Sequence, residues 1–317
     1  MKPIIYDVII IGSGPAGFTA GIYTCRSQLK TLLIECFIPS SQAVVADWIE
    51  NYPGFPEGIE GFGLVERFKN QAKNFGLDFY TGKVDNIKLE DKQKNIWQVK
   101  SEDKIFHSLA VILAVGAKPK QLGIEGEEAF RGKGVSYCAI CDGTFFKDKD
   151  IVVVGGGNSA VSEALYLTRF ARKIILVHRR NRLRAVPILA QRAKENKKIE
   201  LVWNSVITQV YGKDKVEGVG LKNVVDQVQS RLACSGVFVS VGLIPNTDFL
   251  GGLVKLDDDG YIVTDQAMQT SCPGIFACGD CRVKHLRQIV TACGDGAVAG
   301  FSATEYTDRI KGQAYDG

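Results

Sequence analysis

Asp7-Val8-Ile9-Ile10-Ile11-Gly12-Ser13-Gly14-Pro15-Ala16-Gly17 is the stretch whose reading decides the fold. A β-branched run enters G-x-G-x-x-G, a helical stretch follows, and Thr31 to Ile34 reads as a second strand ending at Glu35. Strand, glycine turn, helix, strand and acid in about 30 residues is the signature of a dinucleotide-binding unit. Gly12 makes the turn, Gly14 lets the backbone approach a pyrophosphate, and Gly17 lets the helix pack on the strand. Ser13, Pro15 and Ala16 complete the turn, and Glu35 is placed to accept both hydroxyls of an adenosine ribose.

The pattern returns. Ile151 to Val154 leads into Gly155-Gly156-Gly157-Asn158-Ser159-Ala160, then a helix, then a strand from Lys173 to Val177. Gly12 and Glu35 are 23 positions apart, as are Gly155 and His178, so the acid of the first unit is replaced in the second by His178-Arg179-Arg180, with Arg184 just beyond. A carboxylate would repel a 2′-phosphate, whereas guanidinium groups bind it through charge-assisted hydrogen bonds. The first unit therefore suits FAD or NAD and the second suits NADPH. Between the two fingerprints lies Cys138-Ala139-Ile140-Cys141-Asp142. A C-x-x-C alone is a redox pair or half a zinc site. Two nucleotide sites flanking it point to electrons passing from one carrier through another to a dithiol, and no metal site is expected.

Composition bounds the rest. The 317 residues suit about two domains, and 45% hydrophobic content with 34 glycines and 9 prolines fits a soluble α/β protein rich in tight turns. A formal charge of +4 gives no reason to expect nucleic-acid binding. Tyr6 to Ile11 is too short for a signal-peptide core or a membrane span, and no other segment approaches 18 apolar residues, so a cytoplasmic protein without membrane contact is expected. Cys25, Cys36, Cys234, Cys272 and Cys293 stand singly among apolar residues and read as reduced, buried small hydrophobes. His107 and His285 lack metal-ligand spacing, and Asp257-Asp258-Asp259-Gly260 reads as a hairpin-like turn.

Leu109 to Val115 reads as a strand ending at Gly116, and Gly236 to Val241 as another ending at Gly242; both look like crossings between domains. Gly274 to Ala277 runs into Gly279-Asp280, and a helical stretch starts at about Thr291. The expected fold is α/β, with two Rossmann-like dinucleotide-binding domains, the second inserted into the first. Residues 1–117 and 246–317 form the FAD-binding domain, and 118–245 form the NADPH-binding domain that carries the dithiol.

Over nearly its full length the chain resembles the low-molecular-weight thioredoxin reductases. The resembling stretches are Gly12 to Gly17, Glu50-Asn51-Tyr52-Pro53-Gly54, Cys138 to Gly143, Gly155 to Ala160, His178-Arg179-Arg180, and Gly279-Asp280 with Arg287-Gln288. The resemblance implies bound FAD, NADPH as donor, a homodimer, and thioredoxin or a thioredoxin-like protein as acceptor. It also implies cofactor contacts from Gln42, Asn51, Gly116, Gly279, Asp280 (on the ribityl chain), Arg287 and Gln288, beside those of Gly155, Gly157, Asn158, Ser159 and Ala160. Cys141 would face the flavin, Cys138 would attack the acceptor, and Asp142 would give or take the thiol protons. The inserted domain would turn about Gly116 and Gly242 to present nicotinamide and dithiol alternately to the flavin.

Some positions depart from the family pattern. Ser40-Ser41-Gln42-Ala43-Val44-Val45-Ala46-Asp47-Trp48 replaces a Gly-Gly-Gln-Leu and threonine-rich stretch, which removes hydroxyls that could reach a flavin. Asn181 and Leu183 replace Asp and Phe, Leu286 stands where Tyr is common, and Thr144 precedes the aromatic pair Phe145-Phe146. Cys278-Gly279-Asp280-Cys281 is a second C-x-x-C by count, read as part of the flavin turn, with an auxiliary redox pair as the sharper reading. A ferredoxin-fed reductase would lack the basic cluster, and a non-catalytic flavin-binding redox sensor would have no use for a second nucleotide site. A reductase of another small disulfide protein remains open.

Overall fold

Val8, Ile9 and Ile10 are fully buried because Ile5–Ile11 is an interior strand, paired in parallel with Thr31–Glu35 on one side and Lys104–Leu113 on the other. Such strands bury both faces, which is why the sequence shows an apolar run and no alternation. The computed structural model describes residues 4–36, 41–44, 46 and 48–314. Its helices are α1 (Pro15–Arg26), α2 (Gly61–Asn74), α3 (Ala139–Asp142), α4 (Asn158–Leu167), α5 (Pro187–Glu195) and α6 (Ile289–Lys311).

The chain divides into two compact units, one from residues up to Lys118 together with those from Ile244 onward, the other Pro119–Leu243. In the first, the sheet runs Asp78–Thr81, Thr31–Glu35, Ile5–Ile11, Lys104–Leu113, Ile96–Ser101, Val84–Asp91, and Ile275–Ala277 also pairs with Lys104–Leu113. Val8 and Ile10 point into a cluster with Phe18, Leu64 and Ala299 of α1, α2 and α6. Ile9 and Ile11 point the other way, to Trp97, Val99 and Ile262. Each fully buried Val or Ile contributes about 1.5–3 kcal/mol, so these faces carry much of the unit's stability.

The second unit repeats the plan. Ile199–Val202, Lys173–Val177, Asp150–Val154, Gly236–Val239 and Val135–Ser136 form a parallel sheet in that spatial order. Ile151 and Val153 face α4 through Ala160, Val161 and Leu167, while Val152 and Val154 face Ile207, Val210 and Val219 of an antiparallel meander.

At the crossings, Asn246 N–H donates to Gly116 O (3.1 Å) within the first unit, and Lys120 N–H donates to Gly242 O (2.9 Å) within the second. Gly116 (φ 61°) and Gly242 (φ 129°) hold conformations that favour glycine. Some bounds differ from the sequence reading. The strand expected from Leu109 begins at Lys104, because its partly exposed first half pairs with Ile96–Ser101 at the outer part of the sheet. The last helix begins at Ile289, where Gln288 and Thr291 form a capping box. Gly260 N–H closes the Asp257 turn onto Asp257 O (3.0 Å). Among the described residues, no helix is long and apolar enough to cross a membrane, and no His, Cys, Asp and Glu cluster is arranged for a metal.

Candidate functional site

The first glycine turn is fixed by backbone contacts. Gly12 has φ +114°, and a Cβ there would lie 2.2 Å from Ala114 O, while one at Gly17 would lie 1.9 Å from Gly12 O. Gly14 differs: its nearest neighbour would be Ser41 Cβ at 3.4 Å. Gly14 is also the N-cap of α1, with Pro15 in the first turn and no side-chain cap, so the turn keeps its amides for an anion. Gly279 packs on this turn, since a Cβ there would meet Ala16 Cβ at 2.9 Å, and α6 does so at Gly296, 2.2 Å from Ala16 O by the same measure. Asn51 Nδ2 donates to Gln288 Oε1 (2.8 Å), tying the segment after the turn to the start of α6.

Asp280 is half-buried, and its loss of solvent first of all raises its carboxyl above the usual range. Lys284 and Arg287 pull the other way, and Asp295 adds to the rise. Lys284 Nζ (2.7 Å) and Arg282 Nη1 (3.3 Å) both bond Asp295, which also accepts Gly279 N–H (3.1 Å). Arg287 stacks on Tyr261, 4.0 Å from the ring centroid, and donates to Asp280 O. Among the described residues, Ser13 Oγ, Ser41 Oγ and Asp280 Oδ1 are buried oxygens without a hydrogen-bond partner. Buried polar atoms are normally paired, so this trio fits a dinucleotide rich in hydroxyls and phosphate oxygens, such as FAD. Ser41 belongs to the stretch that departs from the family pattern; Ser40, Val45 and Asp47 of that stretch lie outside the described residues. Gln42 is exposed. Both oxygens of Glu35 accept from Lys69 Nζ (3.0 and 3.1 Å), a partner the sequence reading passed over. Beside them, a cavity of about 300 Å³ is walled by Phe18, Val44, Phe62 and Val65.

In the second unit Gly155 (φ +149°) stands with its would-be Cβ 2.2 Å from Ser240 O, whereas Gly157 has nothing within 4 Å. Gly157 caps α4, whose first turn has no acid. Asn158 Oδ1 accepts Val186 N–H (2.8 Å) and Gly156 O accepts Arg184 N–H (2.6 Å), which folds the basic segment back over the turn. Arg179, Arg180 and Arg184 are exposed, as are Asn158 and Ser159. His178 is separated from them: it is buried under Gly156, whose Cβ would sit 2.3 Å from its Nδ1. Burial, aided by the three arginines against a backbone hydrogen bond at Arg182, lowers its basicity, so it supports the turn as a neutral ring. Glu163 on α4, also passed over, is pushed up to about 8 by burial, with Oε2 unpartnered.

These glycines separate folding from binding. Gly157→Ala is expected to leave thermal unfolding within about 2 °C of wild type yet weaken a dinucleotide in equilibrium titration. Gly155→Ala should cost about 2 kcal/mol or more of stability, read as a lowered Tm.

Cys138 and Cys141 are joined as a disulfide with Cα atoms 5.4 Å apart. Cys138 is the N-cap of α3, and its Sγ accepts Cys141 N–H (3.2 Å), an interaction that favours a thiolate once the bond is opened. Cys138 is half-buried and Cys141 exposed. Asp142 Oδ2 accepts from Ser136 Oγ (2.6 Å), and Ser136 Oγ in turn accepts Cys138 N–H (3.1 Å). Tyr137 donates to Glu127 Oε1 (2.7 Å), anchoring the residue before the dithiol. Of the aromatic pair, Phe145 is exposed at 70%, while Phe146 is core, edge-on to Phe238. Arg131, Lys133 and Lys147, which flank the pair in sequence, are exposed.

The remaining cysteines are free. Cys278 and Cys281 are fully buried, and burial raises both thiols, Cys281 to about 11, so neither forms a ready thiolate. The expectation of five buried single cysteines is corrected: Cys234 is buried, Cys25, Cys272 and Cys293 are partly so, and Cys36 is exposed just past the end of its strand.

The pyridine nucleotide-disulphide oxidoreductase family matches residues 6–296. The thioredoxin reductase of Listeria monocytogenes is 48% identical over 97% of this chain and 95% of its own length, and that of Bacillus subtilis 45% over 97% and 96%. The crystal structure of Lactococcus lactis thioredoxin reductase superposes with a TM-score of 0.93 at 44% identity, covering 96% of this chain and 99% of its own.

Proposed function

The chain belongs to the pyridine nucleotide-disulphide oxidoreductase family, and from that premise we propose that it is a thioredoxin reductase, passing electrons from NADPH through FAD and the Cys138–Cys141 pair to thioredoxin or a thioredoxin-like protein. The observation that carries this reading is the Cys138–Cys141 disulfide, set beside a held carboxyl in the same unit as the second, basic nucleotide turn. FAD belongs to the first turn, with Ser13, Ser41 and Asp280 as its polar contacts and Glu35 toward its ribose. NADPH belongs to the second, with Gly157 open to its pyrophosphate and Arg179, Arg180 and Arg184 toward its 2′-phosphate. Those exposed arginines favour NADPH over a ferredoxin as donor. A homodimer in the cytoplasm completes the proposal, and the reduced state of the other seven cysteines suits that compartment.

Bound FAD would turn a nicotinamide hydride into the electron pair that opens a disulfide. The chain's own residues do the rest. Cys141 N–H stabilises the Cys138 thiolate as the attacking group, Asp142 supplies or removes protons at the thiols, and the exposed basic residues attract an acidic partner. An anaerobic titration tests the reading: NADPH added to the purified yellow protein should bleach the flavin and raise the thiol count, and added thioredoxin disulfide should be reduced. Bleaching without new thiols would overturn it.

A further inference from the structure

We propose that Ser136 is a positioning residue for the thiol chemistry, its hydroxyl holding the Asp142 carboxyl beside Cys138 and reversing its hydrogen bond as that carboxyl loses and regains a proton. The inference rests on the disulfide-reductase reading and deepens it.

Ser136 is 4% exposed and sits on the short strand Val135–Ser136, whose parallel pairing with Val237 and Phe238 fixes its backbone. Its Oγ lies 2.6 Å from Asp142 Oδ2, 3.1 Å from Cys138 N and 3.2 Å from Cys138 O. A serine hydroxyl has one proton to donate and two lone pairs to accept with. Cys138 N–H takes one lone pair, so the proton points either at Asp142 or at Cys138 O. Facing an ionised carboxylate it points at Oδ2. When Asp142 is protonated, the acid donates to the second lone pair and the serine proton turns to Cys138 O. Ser136 Oγ, Asp142 Oδ2 and Cys138 N–H each keep a partner in both states, which a side chain without a hydroxyl cannot provide.

The step served is the exchange itself. The Cys138 thiolate attacks an acceptor sulfur, a Cys138–acceptor disulfide forms as the acceptor's own bond breaks, and the departing thiolate takes the Asp142 proton. Asp142 then takes the proton of Cys141, whose thiolate attacks Cys138 Sγ. The second acceptor sulfur leaves and receives that proton. The enzyme dithiol is oxidised by two electrons, the acceptor disulfide is reduced by two, and two protons move with them. Asp142 changes protonation repeatedly in one cycle, and the Ser136 hydroxyl follows it each time.

The test compares wild type with Ser136→Ala, Asp142→Asn and the double variant, following flavin bleaching by NADPH and steady-state reduction of thioredoxin. Ser136→Ala should lower kcat about tenfold while leaving the KM for thioredoxin and the bleaching rate unchanged. In the Asp142→Asn background the same change should cost less than about twofold, because the carboxyl it serves is gone. Ser136→Thr should restore kcat to within about threefold, and Ser136→Val, which matches threonine in shape but lacks the hydroxyl, should not. The Thr–Val comparison decides the matter if the alanine variant folds poorly. Equal penalties in both backgrounds, or equal kcat for Thr and Val, would overturn the Ser136 role alone. Absence of wild-type turnover would overturn the reductase reading and this role with it.

Discussion

Cys138→Ser and Cys141→Ser should each abolish disulfide reduction, by more than about a thousandfold, or about 4 kcal/mol of barrier, while NADPH still bleaches the flavin at the wild-type rate. The loss is large because thiol–disulfide exchange proceeds through sulfur alone, and the serine hydroxyl, though similar in size, neither attacks nor leaves. The two variants should differ in what they trap. Cys141→Ser leaves Cys138, the thiol that accepts a backbone N–H at its Sγ, and should hold thioredoxin as a mixed disulfide visible on a non-reducing gel. Cys138→Ser should trap little. A trap in the second variant and none in the first would reverse the roles of the pair. Trapping should weaken as salt rises, since Arg131, Lys133 and Lys147 are exposed and act by long-range attraction.

The second large effect is expected at the basic segment. Replacing Arg179 and Arg180 together with alanine should weaken NADPH by ~30- to ~1000-fold, about 2–4 kcal/mol, and leave NADH within about threefold. Both side chains are exposed, which places the effect below that of two fully buried charge pairs. Steady-state kinetics with both donors measure it. Equal loss with NADPH and NADH would show that the segment supports the fold and does not read the 2′-phosphate. His178 belongs to that supporting role, since its ring lies under Gly156.

The difference between His178 and its neighbours marks the limit of what the sequence discloses. The two glycine turns were legible because they are governed locally: a positive φ at Gly12 or Gly155 and a carbonyl about 2 Å from any Cβ admit one residue type. The parallel strands were legible because both faces are apolar. Partners fixed by tertiary placement were not. Lys69 reaches Glu35 across 34 positions and Asn51 reaches Gln288 across 237, and no spacing rule connects either pair. Ser136 is only six residues from Asp142, yet their meeting depends on the tight turn into α3. His178 stands beside a run of arginines, yet its strand carries it inward, and burial lowers its basicity. Cys36 was grouped with apolar neighbours, but the strand that would have buried it ends one residue earlier.

The paired crossings bear on how such a protein can be assembled. Each unit has its two broken ends bridged by one of its own hydrogen bonds, Lys120 to Gly242 in the inserted unit and Gly116 to Asn246 in the other. Closing the gap left by removing the insert therefore demands only a very short joint, with little loop entropy to overcome. The excised piece, in turn, starts and stops at the same spot. The second unit thus has the terminal geometry of a cassette, and the host unit presents a seam narrow enough to stitch by a turn.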